Sequence, residues 1–247
     1  MTTNHPRRHG RSLALALLMH LVCLGNAAAA DQPKFEDTLA QRLSACNPMP
    51  TRSGGRAPHL MATTRIAGKP AGYLYNQLKH FQRGERRYDP MTRMVDPLSD
   101  DYLWEIARHF AALEVPYPAP VQSPAPADAL RRGERLARHG DPSRNLPACA
   151  ACHGAQLTGT TPATPGLLGL PRDYINAQMG AWQTGARRGA QPDCMADIAQ
   201  RMEPEDIAAV SAWLSSQPWP AHASPPAQST TQPPLPCGSH AMTRERP

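Results

Sequence analysis

Aromatic side chains are scarce in this chain of 247 residues, which has three Phe, four Trp and six Tyr. Beside 28 prolines, so few large rings argue against one extensive continuous core. A prosthetic group bringing its own apolar surface would help such a chain fold. Long apolar runs are also missing beyond residue 24, so no later segment can cross a bilayer as a helix. Paired carboxylates and nucleophile–base arrangements are missing too, which argues against an enzyme in its own right. A large charge excess is absent as well: the formal net charge is +6, and half of that lies in the first eleven residues.

Those residues begin an export signal. Arg7, Arg8 and Arg11 form a basic segment, residues 13–24 are apolar, and Asn26-Ala27-Ala28-Ala29-Ala30 offers a small-residue cleavage site. Cleavage is expected just after Ala30, giving a mature periplasmic chain with no membrane span. Loss of the three arginines takes the formal excess from +6 to +3, too small and too scattered for a nucleic-acid partner. Cys23 leaves with the signal.

Proline-rich stretches divide the remainder. Residues 1–30 are the signal peptide, 31–114 a first domain, 115–127 (VPYPAPVQSPAPA) a stiff linker, 128–218 a second domain, and 219–247 a disordered Pro-rich tail. The two domains repeat each other. Ala67-Gly68-Lys69-Pro70, Tyr73, Gln77, Gly84, Arg86 and Arg87 recur 101 residues on as Leu168-Gly169-Leu170-Pro171, Tyr174, Gln178, Gly185, Arg187 and Arg188. At an offset of 104, Met91 then falls on Met195, Leu98 on Met202 and Asp101 on Glu205. Apolar residues follow helical spacing in both copies (Tyr73, Leu74, Leu78, Phe81; Tyr174, Ile175, Gln178, Trp182), and alternating strands are not evident. The expected class is all-α.

The chemistry lies in Cys149-Ala150-Ala151-Cys152-His153. Two thiols three residues apart can each add to a vinyl group of one haem, and the next residue brings an imidazole to the iron. A zinc site would need a second ligand pair at suitable spacing, and a redox dithiol a βαβ setting; neither is present. For a sixth ligand the choices are Met179, Met195 and Met202. Met195 is favoured because Gln191-Pro192-Asp193-Cys194-Met195 reads as an irregular segment between helices, able to fold over the opposite face of the ring. Met179 and Met202 read as core methionines within helices. The carbonyl of Pro165 is a candidate acceptor for the free N–H of His153, and Leu168, Tyr174 and Trp182 are candidate pocket lining.

Cys149-Ala150-Ala151-Cys152-His153-Gly154, followed by Pro165-Gly166-Leu167-Leu168-Gly169-Leu170-Pro171-x-x-Tyr174 and Met195-x-x-Ile198-Ala199, resembles a class I cytochrome c. The tandem arrangement resembles the two-haem cytochrome c4 / c553 group over about residues 34–217. The resemblance implies two cytochrome c-like helical domains and a periplasmic electron shuttle, with Cys149 and Cys152 the covalent haem anchors and His153 and Met195 the axial ligands. One haem c is expected rather than two. Cys46-Asn47-Pro48-Met49-Pro50 stands where the first Cys-x-x-Cys-His belongs and supplies one thiol and no histidine. His59 and His80 are weak substitutes, and without its haem the first copy is expected to be loose. Pairing among Cys46, Cys194 and Cys237 stays open. The leading function is electron transfer between a quinol–cytochrome c reductase and a terminal oxidase. A cytochrome subunit of a periplasmic dehydrogenase is the alternative, and a haem with an open sixth site the third reading.

Overall fold

The computed structural model describes residues 38–43, 66–114, 120, 122–220, 225–227 and 233–241. The export signal, Cys46 with its surroundings, His59 and most of the 115–121 stretch lie outside the described residues. The chain divides into two units, Met1–Arg42 and Leu43–Pro247. Of the first, one short helix is described, α1 (Leu39–Arg42), opened by the Thr38 hydroxyl, which accepts from Gln41 N–H. All that follows concerns the second unit.

Its helices come in two matching sets. The first holds α2 (Ala71–Gln82), α3 (Asp89–Val95) and α4 (Asp100–Ala112). Next come α5 (Ala127–His139) and α6 (Cys149–His153). The second set is α7 (Arg172–Gln183), α8 (Cys194–Arg201) and α9 (Pro204–Ser216). Shifting α2 by 101 residues reproduces both ends of α7, and shifting α4 by 104 reproduces both ends of α9. The repeat read from identities is thus a repeat of structure. Local chemistry sets the boundaries. Pro70 and Pro171, with fixed φ, precede α2 and α7, the Ser99 hydroxyl accepts from Tyr102 N–H at the head of α4, and Glu203 with Asp206 forms a capping box on α9.

Beside the helices, the described residues hold one minimal hairpin, β1 (Gly159–Thr160) against β2 (Thr164–Pro165). Two residues a strand are too few to show alternation in sequence, and the class remains helical.

Helices α5 and α9 cross at close range around Gly133. A Cβ there would lie 2.2 Å from the Ala209 carbonyl oxygen and 2.9 Å from Trp213 Cβ. The crossing buries Leu136 and Ala137 of α5 against Ile207, Val210, Trp213 and Leu214 of α9, and this core continues through Leu146, Leu157 and Leu168. The first copy packs its own core from Leu74, Phe81, Val95, Ile106 and Phe110 around a fully buried Leu103, with Tyr75 stacked on Trp104 at 4.2 Å between ring centroids. This corrects the expectation of a loose first copy. Three amphipathic helices bury apolar surface on one another over residues 71–112.

The copies meet across an antiparallel bridge between Arg86 and Arg187. Arg87 N–H donates to the Ala186 carbonyl at 3.0 Å, and Arg188 N–H to the Glu85 carbonyl at 2.7 Å.

A second correction concerns the tail. Within 219–247, Thr161 N–H donates to the Pro226 carbonyl at 2.9 Å, Cys237 is disulfide-bonded to Cys194, and α10 (Gly238–Ala241) follows. Proline and serine content signalled the absence of an apolar period, but a covalent bond and main-chain hydrogen bonds order a segment without one. The pairing left open among three cysteines is Cys194 with Cys237.

Asp206 is fully buried at the start of α9. It accepts from Arg132 Nε at 2.8 Å, from Arg144 Nη1 at 2.6 Å and from Glu203 N–H at 3.1 Å. Burial by itself would raise this carboxyl, but the hydrogen bonds from Arg144, the Glu203 backbone and Arg132 hold it below the usual carboxylate range.

Two outcomes follow. Gly133→Ala forces α5 and α9 apart and should lower unfolding free energy by about 2 kcal/mol, the middle of the range for overpacking a tight contact, read from denaturant midpoints. Asp206→Asn should cost about 2–3 kcal/mol near neutral pH, less than for a fully buried pair because both arginines reach solvent. The folded carboxyl is depressed, so its stabilisation is complete above the ordinary carboxylate pKa of about 4 and drains as pH falls below it. The gap between wild type and variant should therefore close on acidification through that range, which pH-dependent denaturation curves measure.

Candidate functional site

Helix α6 is five residues long and carries the whole Cys-x-x-Cys-His motif. It ends at Gly154, whose φ of +83° suits a residue without a side chain. The chain then turns back through β1 and β2, an approach that needs glycine twice. A Cβ on Gly159 would sit 2.5 Å from Gly166 N, and one on Gly166 would sit 2.6 Å from the Thr158 carbonyl oxygen. This close return places Pro165 beside His153, with His153 Nδ1 at 2.7 Å from the Pro165 carbonyl oxygen. The carbonyl can only accept, so Nδ1 carries the proton and Nε2 keeps its lone pair. The acceptor proposed from sequence is the one the fold supplies.

An apolar cavity of about 160 Å³ opens between α6, the 163–170 loop, α7 and the first turn of α8. Cys152, His153, Leu167, Leu170, Tyr174, Ile175, Met179, Trp182, Met195 and Ile198 line it. Of the three candidate sulfur ligands, Met195 and Met179 reach the cavity, while Met202 caps the end of α8 in the core. Leu168, expected in the lining, packs into the core instead, and its neighbours Leu167 and Leu170 take that place. Met195 is not in an irregular segment. Asp193 Oδ1 accepts from Ala196 N–H at 3.1 Å, and this cap draws Cys194 and Met195 into the first turn of α8. The methionine therefore enters from a fixed helix start rather than from a pliant loop.

Cys149 and Cys152 are not disulfide-bonded to each other. Burial pushes the Cys149 thiol up to about 11 and raises Cys152 as well. A redox dithiol needs the opposite shift, toward thiolate. The lining suits haem in another respect: Trp182 Nε1 is buried without a hydrogen-bond partner among the described residues, a donor that a haem carboxylate would satisfy.

The first copy contributes to the same cavity through Lys69, Tyr73, Gln77 and His80. Lys69 Nζ donates to the Gly166 carbonyl at 2.9 Å, next to Pro165. His80 places Nδ1 2.5 Å from Glu85 Oε2. Arg187, only 5% exposed, donates to Gln178 Oε1 at 2.8 Å and to Gln77 Oε1 at 2.9 Å, and its guanidinium lies 3.8 Å from the Trp182 ring centroid. Arg86 mirrors it, donating to Gln77 Oε1 at 3.1 Å and Gln178 Oε1 at 2.9 Å. Burial would push the Tyr73 phenol up, but Arg187, Arg86 and Lys69 outweigh it and bring the group below its ordinary value. Sequence reasoning used Lys69, Tyr73, Gln77, Arg86, Gln178 and Arg187 for the repeat and not for the site. Identical polar residues at helical spacing in both copies were the signal that they face each other.

Residues 132–218 match the cytochrome c family model. The chain is 37% identical to the thiosulfate dehydrogenase electron acceptor of Thiomonas intermedia, covering 67% of this chain and 76% of that one. It is 29% identical to cytochrome c4 of Azotobacter vinelandii, covering 81% and 96%. Among solved structures, thiosulfate dehydrogenase from Marichromatium purpuratum superposes with a TM-score of 0.55 at 32% identity, over 63% of this chain and about a third (32%) of that one. Reduced cytochrome c4 from Pseudomonas stutzeri superposes with a TM-score of 0.54 at 27% identity, over 61% and 83%. Fold, motif and matches together define a c-type electron carrier rather than an enzyme in its own right. The chain belongs to the class I cytochrome c family, in the tandem-copy group that includes cytochrome c4, and carries covalently bound haem c.

Arg187→Ala removes one of the two guanidinium donors on each glutamine oxygen together with the stack on Trp182, and should cost about 2 kcal/mol of stability. Arg86→Ala, from a half-buried position, should cost less; denaturant unfolding of the two variants checks the order.

Proposed function

We propose that this chain is an exported, periplasmic cytochrome with one haem c, anchored by Cys149 and Cys152 and ligated by His153 and Met195. The observation that carries the reading is the convergence of His153 and Met195 on one apolar cavity, beside the chain's only Cys-x-x-Cys-His motif. Bound haem supplies a one-electron ferric/ferrous couple. The protein's residues do the rest. Pro165 fixes the His153 ring and its tautomer, which raises the basicity of Nε2. The Met195 thioether is a soft ligand that favours ferrous iron and a higher potential. Leu167, Leu170, Ile175 and Ile198 exclude water, so the charge change on electron transfer needs little solvent rearrangement. With His153 and Met195 both committed to the iron, no position would be left for a substrate.

The first copy keeps its helices but has Met49 and Pro50 where a second attachment motif would put cysteine and histidine, which supports a count of one haem. Partners on this reading are redox proteins, either a quinol-oxidising complex and a terminal oxidase or a dehydrogenase that delivers electrons directly. Two relatives, from Thiomonas intermedia and Stutzerimonas stutzeri, are named thiosulfate dehydrogenase electron acceptors, which favours the second choice and makes a dehydrogenase the first partner to assay.

Expressed with the periplasmic haem-attachment machinery, the protein should have the mass of residues 31–247 plus one haem, and the ferric form should show the far-red charge-transfer band of methionine ligation. Met195→Ala should abolish that band and lower the reduction potential, while Met179→Leu should keep both. A mass with no haem or with two would overturn the reading, and so would a band that follows Met179 instead.

A further inference from the structure

Residues 225–227 and 233–241 are tied to the molecule at points on both sides of the haem cavity. On the His153 side, the Pro226 carbonyl accepts from Thr161 N–H, three residues before Thr164 and Pro165 of β2. On the Met195 side, Cys237 is bonded to Cys194, the residue immediately before Met195. Gly238 N–H donates to the Pro192 carbonyl at 2.9 Å. The fit there is close enough that a Cβ on Gly238 would lie 2.2 Å from the Gln191 carbonyl oxygen. Between these ties, Pro233 and Leu235 line the cavity itself.

The segment also grips the first copy. Asn76 Nδ2 donates to the Ser239 carbonyl at 3.0 Å. Asn76 and His80 on α2 are 1% and 2% exposed, whereas Ala177, the α7 counterpart of Asn76, is exposed. The burial pattern of the repeat therefore differs at this position, where the C-terminal segment lies on α2. Anchors on two copies and on both sides of one cavity are more than is needed to tidy away a chain end. Two of them, the disulfide to Cys194 and the Gly238–Pro192 hydrogen bond, fall on the segment 191–195, which holds the methionine.

We propose that residues 233–239, fastened by the Cys194–Cys237 disulfide, are a positioning strap that holds Met195 toward the iron and closes that side of the cavity to exogenous ligands. This rests on the assignment of Met195 as the sixth ligand. A methionine–iron bond competes with any small ligand that can enter when the methionine swings away. Entry is governed by how often residues 191–195 open, since a ligand that binds only the open state has its affinity reduced by the open fraction. The disulfide, the Gly238–Pro192 hydrogen bond and the Asn76–Ser239 hydrogen bond each oppose that opening. Pro233 and Leu235 add apolar surface where a small ligand would pass.

The test uses the full-length ferric holoprotein titrated with imidazole. In the Cys194→Ser/Cys237→Ser double variant, imidazole should bind at least about tenfold more tightly than in wild type, as expected when a tether limiting an open state is cut. The far-red methionine band should be lost at a lower temperature. Gly238→Val, which keeps both cysteines but clashes with Gln191, should shift imidazole affinity in the same direction. It gives an independent reading should the double variant load haem poorly. Wild-type imidazole affinity and an unchanged band in haem-loaded Gly238→Val and in the double variant would overturn the strap while leaving Met195 as ligand. Absence of the band from the wild-type protein would instead overturn the ligand assignment, and the strap with it.

Discussion

Two arginines related by the internal repeat hold this molecule together. Arg86 and Arg187 pair through their backbones and cross their side chains onto Gln77 and Gln178, each guanidinium serving a glutamine from both copies. Bringing two cations together is unfavourable unless each is saturated with acceptors and stacked on something polarisable. The glutamine oxygens, the tyrosine hydroxyls and the ring of Trp182 meet those needs. Everything at the haem site that comes from the first copy, including the Lys69 contact to the Gly166 carbonyl, depends on this junction keeping its register.

The junction also explains how one copy persists without the attachment motif of the other. A cytochrome domain built around a ring loses its central packing element when the ring is gone. Here the first copy has Leu103, Val95, Phe81 and a stacked Tyr75–Trp104 pair at its centre, and its open face is taken up by the partner copy and by the C-terminal segment. On the one-haem reading proposed above, its contribution is to enclose the group that carries the electron.

Much of this was legible in the sequence, for identifiable reasons. Attachment chemistry imposes a fixed spacing on Cys149, Cys152 and His153. A prolyl carbonyl twelve residues on could be nominated because a neutral imidazole needs an acceptor, and Pro165 is there. The starts of α4 and α9 are set at Ser99 and Glu203 by caps, which are local. The misses were non-local. Nothing in residues 225–227 and 233–241 announces a fold, since their order comes from a disulfide and from main-chain bonds to Thr161 and Pro192 that carry no sequence signature. Met195 was read as loop because Pro192 and Asp193 look like loop residues. In the structure Asp193 starts a helix, and the same residue type signals both. The first copy was read as loose because only the missing haem was weighed, not the surface that a neighbour could cover.

The acceptor that fixes His153 is a main-chain carbonyl, and this has a consequence for how such a protein can drift over time. A side-chain acceptor can be exchanged by one codon change, and the electron affinity of the iron would then wander with it. A backbone oxygen survives every replacement at its own position that leaves the trace unmoved. Retuning must go through the path of the chain, which is pinned where Gly159 and Gly166 pass within van der Waals contact. With His153 as an iron ligand, as proposed, the hydrogen bond that orients its ring is thereby sheltered from ordinary mutation.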